Sequence, residues 1–501
     1  MKKYRKLSAF LLALTLCASL SACGSTSSSS DTAASRSTTA SSTAEITTEV
    51  TAEATTSENS DKNSDNDRPG DPPDGDRPDA PPDGSGGGPG GGGPGGSSSA
   101  DIDYKGAVEI TSSDSQSGQK YDSSTADESA LLISTSDDVT ITDPTVNKTG
   151  NSDGGDNCNF YGLNAAVLVK DGSNTTITGG TITSDADGAN GVFCYGGNGG
   201  QNGAAGDGTT VTIRDTVIKT TGDGSGGIMT TGGGITYAYD LDVNTSGQSS
   251  AAIRTDRGGG TVYVDGGTYT SNGLGSPAIY STAEIHVENA DLTSNLSEGV
   301  CIEGKNSIEL TNCNMTANNT KCNGNATFFD TIMIYQSMSG DADSGTSSFT
   351  MTGGTLTSKN GHVFHVTNTN AVINLSGVTI INEDSENILL SVCADGWNGA
   401  GNIAALNADS QELSGIIKVG SDSELTLNLT NGSAFTGSID GSITNAKGTS
   451  VSTEIGTVNV KLDSTSKWTL TADTYITSFD GDVSNIITNG YTLYVNGTAL
   501  T

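Results

Sequence analysis

Basic residues, histidine and aromatics are all scarce in this 501-residue chain. Lys and Arg number 23 against 58 Asp and Glu, a formal net charge of −35, and removing a leader that carries Lys2, Lys3, Arg5 and Lys6 makes the balance more acidic still. Such a surface repels phosphate backbones, which argues against nucleic acid as a partner. Only three His are present, aromatics make up 5 % of residues and hydrophobic residues 33 %. That is too lean for several compact cores. With 68 Gly, it argues against a doubly wound or helical enzyme and for one thin, repetitive core. Beyond the N-terminal leader no apolar stretch is long enough to span a membrane.

The leader itself has a basic start, a run of Leu, Ala and Phe, and small residues before Cys23. This is the pattern of an export signal over 1–22. Leu20, Ser21, Ala22 and Cys23 resemble a bacterial lipobox, which implies acylation of the Cys23 thiol and a lipid anchor on the outer face of the bacterial cell membrane. From 23 to 100 the chain is Ser/Thr/Ala-rich and then Pro/Gly-rich, with nothing to bury, and reads as a disordered tether. A Gly-rich coil of about 77 residues would span roughly 45 to 50 Å.

What the remaining sequence has is a repeat. Thr178-Gly179-Gly180-Thr181 returns as Asp265-Gly266-Gly267-Thr268 and as Thr352-Gly353-Gly354-Thr355. Taking the apolar residue before each such bend as an anchor gives Ile141, Ile177, Ile213, Ala238, Val264, Val287, Leu310, Met351 and Leu375, spaced by 36, 36, 25, 26, 23, 23, 41 and 24 residues. The long steps contain loop insertions such as 196–208 and 318–348. Two residues before each anchor and five after it stand further apolar side chains, so that 25 of 27 positions are hydrophobic where composition alone gives about nine. The intervening residues (Thr140, Thr176, Thr212, Tyr237, Tyr263, His286) are polar or amphipathic, which is strand alternation. A strand, a two-residue bend and another strand cannot close a core alone, so each unit must stack on the next as a parallel β-helix. About a dozen coils at ~4.8 Å each would make a rod of roughly 60 Å over 101–420. From Ser421 the phrasing changes: Leu425, Leu427 and Leu429 precede Phe435, and Val458, Val460 and Leu462 precede Trp468, so 421–501 reads as terminal coils of altered cross-section ending in a cap at Thr492–Val495.

The bend phrases and Thr-rich strands of 101–501 resemble the pectate-lyase-like right-handed β-helix class, especially its surface-exposed adhesin and carbohydrate-binding members. The resemblance implies the handedness. It also implies what a catalytic member would carry, and Gly361-His362-Val363 and Asp137-Asp138 are only partial, misordered echoes of the galacturonan hydrolase phrases. The nearest approach to a lyase is Arg254, Asp256 and Arg257, whose guanidinium forks suit uronate carboxylates and equally serve charge balance at a turn.

The outward column of Tyr237, Tyr263 and His286 on three successive coils, with Tyr239 beside it, offers rings to a sugar face or stacks to stabilise the sheet. Trp397, in a Gly-flanked loop, is a further ligand-binding candidate. Asp185 with Asp187, and Asp341 with Asp343, supply the oxygens that Ca²⁺ takes and are also good turn formers, so Ca²⁺ is a candidate cofactor and no other is implied. His362 and His365, three apart on a strand, are expected on opposite faces, which argues against a shared metal. Of the Cys in the folded part, Cys194 aligns best with the strand Val167–Val169, while Cys301, Cys313 and Cys322 are close enough in sequence to pair with one another. The leading functional reading is a non-catalytic, lipid-anchored surface protein that binds a polysaccharide or cell-surface glycan, or mediates adhesion. The alternatives are a polysaccharide lyase or hydrolase acting on acidic plant polysaccharide, and a structural spacer.

Overall fold

A computed structural model describes residues 102–199, 205–397 and 401–501; the export signal, Cys23 and the tether lie outside the described residues. The described part is a parallel β-helix whose coils visit three walls in order. Wall 1 contains fifteen hydrogen-bonded strands, wall 2 fourteen and wall 3 ten.

The anchors found in sequence all lie on wall 2, in register. Ile141 pairs with Ile177, Ile177 with Ile213, Ala238 with Val264, and Val264 with Val287, all buried in one continuous core. The residues five positions later form the matching column of wall 3, as in Ile182–Ile218–Val243–Tyr269–Leu292–Met315. Between these walls the chain turns through one residue in the left-handed region, or through two at the Gly179-Gly180, Gly266-Gly267 and Gly353-Gly354 bends. Gly118, Asp143, Gly179, Asp215, Asp240, Gly266, Asn289, Asn312, Gly353 and Gly377 occupy this corner, with φ between 49° and 77°, and Ser410 and Asn431 take the same conformation where wall 2 leads into wall 1. Asn, Asp and Gly tolerate that conformation, which is why the bend phrase alternates among them. Each corner amide still reaches the next coil, as Asp143 N to Thr178 O at 2.8 Å and Gly179 N to Arg214 O at 2.8 Å, so the ladder crosses the bend unbroken.

Wall 1 differs. Its strands Val192–Tyr195, Val300–Glu303, Asp330–Tyr335 and His362–Thr367 are buried along their whole length, because excursions of the chain cover the outer face. A short helix, Asp156–Tyr161, packs Phe160 and Tyr161 on Leu168, Phe193 and Met229, while Phe328 sits further along with Cys393 and Ile443.

Wall 3 ends at Thr379–Asn382. From Asn402–Asp409 onward each wall 2 strand leads directly into wall 1, so the change of cross-section begins ahead of Ser421. Phe435 and Trp468, read as partners of wall 2, are wall 1 residues stacked at 5.7 Å beyond Leu413. Leu493–Val495 belongs to a small separate sheet with Thr474–Ile476 and Thr498–Ala499.

The six described cysteines are all free. Cys194 does align with Val169. The expected pairing among Cys301, Cys313 and Cys322 does not occur, since Cys301 stands on the outer face of wall 1, Cys313 at the bend between walls 2 and 3, and Cys322 in a covering segment. Cohesion therefore rests on stacking rather than on cross-links.

Ile213→Ala, in the middle of the wall 2 column, is expected to destabilise by about 2–4 kcal/mol, while Thr212→Ala on the same strand stays within about 0.5 kcal/mol. Chemical denaturation midpoints of the two variants check this.

Candidate functional site

Register on wall 1 produces one outward column ten residues long: Leu132, Leu168, Phe193, Met229, Arg254, Tyr280, Cys301, Met333, His365 and Ser391. Its first four members are apolar and lie beneath the short helix. At Arg254 the column becomes polar and aromatic, and there the cover opens into a cavity of about 160 Å³. Arg254, Tyr280, Glu303 and Tyr335 form its floor; Trp397, 323–326 and 337–341 form its rim.

Three sets of contacts fix the floor. Tyr280 Oη and Tyr335 Oη donate to Glu303 Oε2 at 2.6 and 3.0 Å, and Ser337 Oγ donates to Glu303 Oε1. Burial, then the Glu303 charge, holds both phenols well above the usual tyrosine range, so they remain donors. Arg254 Nη2 donates to Asp256 Oδ2 at 2.5 Å, and its other amino group reaches Asn159 Oδ1 and Ser249 O at 3.3 Å. Burial pushes the Asp256 carboxyl up to about 6, and Arg254 is the opposing pull that keeps it ionised at neutral pH. Arg257 donates through Nε and Nη2 to Asp341 and lies 4.1 Å over the Phe160 ring.

The rim is held as firmly. Trp397 meets the Tyr335 ring at 4.8 Å between centroids, tilted by 47°. Its turn is tied down by Asp395, whose Oδ1 accepts from the Thr327 amide at 2.9 Å, the Thr327 hydroxyl at 2.5 Å and the Gly396 amide at 2.7 Å. A β-carbon at Gly396 would stand 1.8 Å from Asn325 O, so the close approach of the two rim segments requires glycine there.

Of the residues predicted from sequence, the fold brings Arg254, Trp397 and Asp341 to this cavity, with Arg257 bonded to Asp341 at its edge. The tyrosine column is formed but lies elsewhere, on wall 2. Tyr237 and Tyr263 stack at 5.2 Å and 9°, Tyr263 and His286 at 5.0 Å and 10°. The ring faces turn toward one another along the rod and only edges face solvent, which suits cross-strand stabilisation rather than a platform for sugars. His286 is further held between Glu284 and Glu309, at 2.9 and 3.0 Å, and the Tyr239 face is covered by Arg214 at 3.7 Å.

The acidic pairs do not converge. Asp341 and Asp343 bond two different cations, Arg257 and Lys305. Asp185 accepts from the Thr221 hydroxyl at 2.5 Å, and Asp187 from the Asp223 amide at 2.9 Å, which are coil-to-coil turn bonds. Among the described residues no group of three or more His, Cys, Asp or Glu is placed to hold a metal ion.

His362 and His365 correct an expectation. Val363 and Phe364 both enter the core, so alternation breaks at the strand start and the two imidazoles come to the same side. Each Nδ1 lies 2.7 Å from Ser391 Oγ. One hydroxyl can donate to at most one of two such nitrogens, so at least one of the rings presents its Nδ1–H to the Ser391 oxygen. Glu298, Glu303, Tyr280 and Tyr335 escaped the sequence reading. The register of wall 1 is the only signal that gathers them, and its strands carry no alternation to reveal it.

Burial, reinforced by His365, pushes His362 down to about 3, so it is neutral in the folded chain and charged below about pH 6.5 when unfolded. Its contribution to stability is present above that pH and is lost as pH falls, by about 1.4 kcal/mol per unit. His362→Gln should remove this slope, so that between pH 6 and 4 the variant loses less stability than the parent in parallel denaturation series. No protein family, curated protein or solved structure matches the chain.

Proposed function

We propose that this chain is a non-catalytic surface lipoprotein that binds a glycan by enclosing one sugar ring in the wall 1 cavity, with the N-terminal tether holding the rod away from its membrane. The observation that carries the reading is the Trp397–Tyr335 corner standing over a floor of hydroxyls. A sugar ring has an apolar face and a polar rim, and tilted aromatic walls with fixed hydrogen-bond groups complement both. Ser249 Oγ, buried without a partner, lines the same cavity and is available to a ligand hydroxyl. The volume of about 160 Å³ is close to the ~150 Å³ that admits a single six-membered ring, which favours one sugar or a chain end over a long polymer groove. The likeness to the carbohydrate-binding members of the pectate-lyase-like class agrees with this reading.

One observation favours catalysis instead. Glu298 lines the cavity, and burial raises its carboxyl above the usual range, as a proton-donating acid requires. Release of reducing ends from a bound glycan, abolished in Glu298→Gln, would decide for that alternative.

On a glycan array the full chain should retain at least one sugar, and Trp397→Ala should weaken that retention by roughly tenfold or more. A Tyr237→Ala/Tyr263→Ala double variant should leave it unchanged. Loss in the double variant with retention in Trp397→Ala would overturn the assignment.

A further inference from the structure

The charges around the cavity do not balance, and the imbalance selects a ligand class. The Arg254 guanidinium is bonded to Asp256, and that of Arg257 to Asp341. Glu303 is left. It is 2 % exposed and solvated by hydroxyl groups, with Tyr280 and Tyr335 on Oε2 and Ser337 and Ser339 on Oε1. Among the described residues no Lys, Arg or His forms an ion pair with it. Hydroxyl dipoles stabilise such a carboxylate without neutralising it, so its field extends into the cavity at low dielectric.

Of the rings that bound the space, Tyr280 already has the Arg254 guanidinium over it at 5.5 Å, while Tyr335 and Trp397 attract a cation at their faces. A carboxylate offers about four lone-pair sites. The longest of the four contacts at Glu303 is Ser339 Oγ at 3.3 Å, on the rim side rather than the floor, and it is the one an incoming N–H donor replaces most easily. Uronates are disfavoured by the same arrangement, since both arginines are committed and a ligand carboxylate would face Glu303.

Resting on the glycan reading above, we infer that the cavity takes a sugar bearing a protonated amine, with the ammonium group directed at Glu303 and the ring against Trp397 and Tyr335. The class is an unacetylated amino sugar, in contrast to its N-acetylated form and to an acidic sugar.

The experiment compares the full chain and Glu303→Gln against oligomers of glucosamine, oligomers of N-acetylglucosamine and oligogalacturonate, by calorimetry at a pH where the amine is protonated. The parent should bind the glucosamine oligomer at least tenfold more tightly than the other two. Glu303→Gln should lose that preference while its affinity for the N-acetylated oligomer stays within a few-fold. If Glu303→Gln does not fold, as judged by its unfolding midpoint, Tyr335→Phe removes one of the donors that orient Glu303 and should narrow the preference instead. Equal or tighter binding of the acetylated or acidic oligomer overturns the amine assignment and leaves the glycan reading standing, as does a preference unchanged by both substitutions. Absence of binding to all three oligomers together with an empty glycan array overturns both.

Discussion

One residue per coil in the left-handed region governs this molecule. By turning the chain between walls 2 and 3 at the same place in ten coils, it keeps the following side chains in register with their neighbours above and below. An insertion at that corner would shift a strand by one position and send its apolar set outward. The corner therefore stays short, and the chain's variable segments enter elsewhere. Interior columns such as Ile177–Ile213 on wall 2 and Ile182–Ile218 on wall 3 follow from that constraint, and with no disulfide among the described residues they supply the cohesion.

The same constraint places the candidate site. Connections into and out of wall 1 are free to lengthen, and the segments 318–329, 336–345 and 393–397 all fold over its outer face. A bare wall of Tyr280, Cys301 and Met333 thereby becomes the floor of an enclosed space. Walls 2 and 3 remain uncovered, so their outward side chains meet water and stack only on each other. Rings spaced by the coil repeat pack face to face along the rod, and a column of aromatics on an uncovered wall consequently stabilises the sheet, whereas a single aromatic brought in from a covering segment, as Trp397 is, lines the cavity.

This division also decides what could be read from the sequence. Walls 2 and 3 were legible because one face is wet and the other dry, which writes a period of two into Val211-Thr212-Ile213 and its equivalents. Wall 1 was not, because a strand such as Asp330–Tyr335 is buried on both faces and shows only an undivided apolar run. Arg254, Trp397 and Asp341 could be singled out by residue type, but nothing in their spacing placed them together: 84 positions separate Arg257 from the Asp341 it bonds. Tyr280, Tyr335 and Glu303 were invisible for the same reason. The histidine expectation failed on a local bend, since the rule of alternating faces holds only where the strand is regular.

The covering segments themselves rest on a buried polar layer, and its protonation bears on the cavity beside it. Asp330 is 1 % exposed, and neither of its carboxylate oxygens has a partner. Burial, reinforced by Glu298 and Asp395, holds its carboxyl well above the usual range, and burial raises Glu298 as well. Both shifts have the same cause, a carboxyl group taken out of water with no cation beside it. Asp395 goes the other way, lowered by His365 and the Thr327 and Gly396 donors against the opposing effect of burial, and it anchors the turn that carries Trp397. Glu303 stands beside this layer at the cavity floor, held by four hydroxyl donors and by no ion pair among the described residues. Low polarisability around it strengthens its field within the cavity relative to that of the exposed carboxylates on the surface, which water and salt screen.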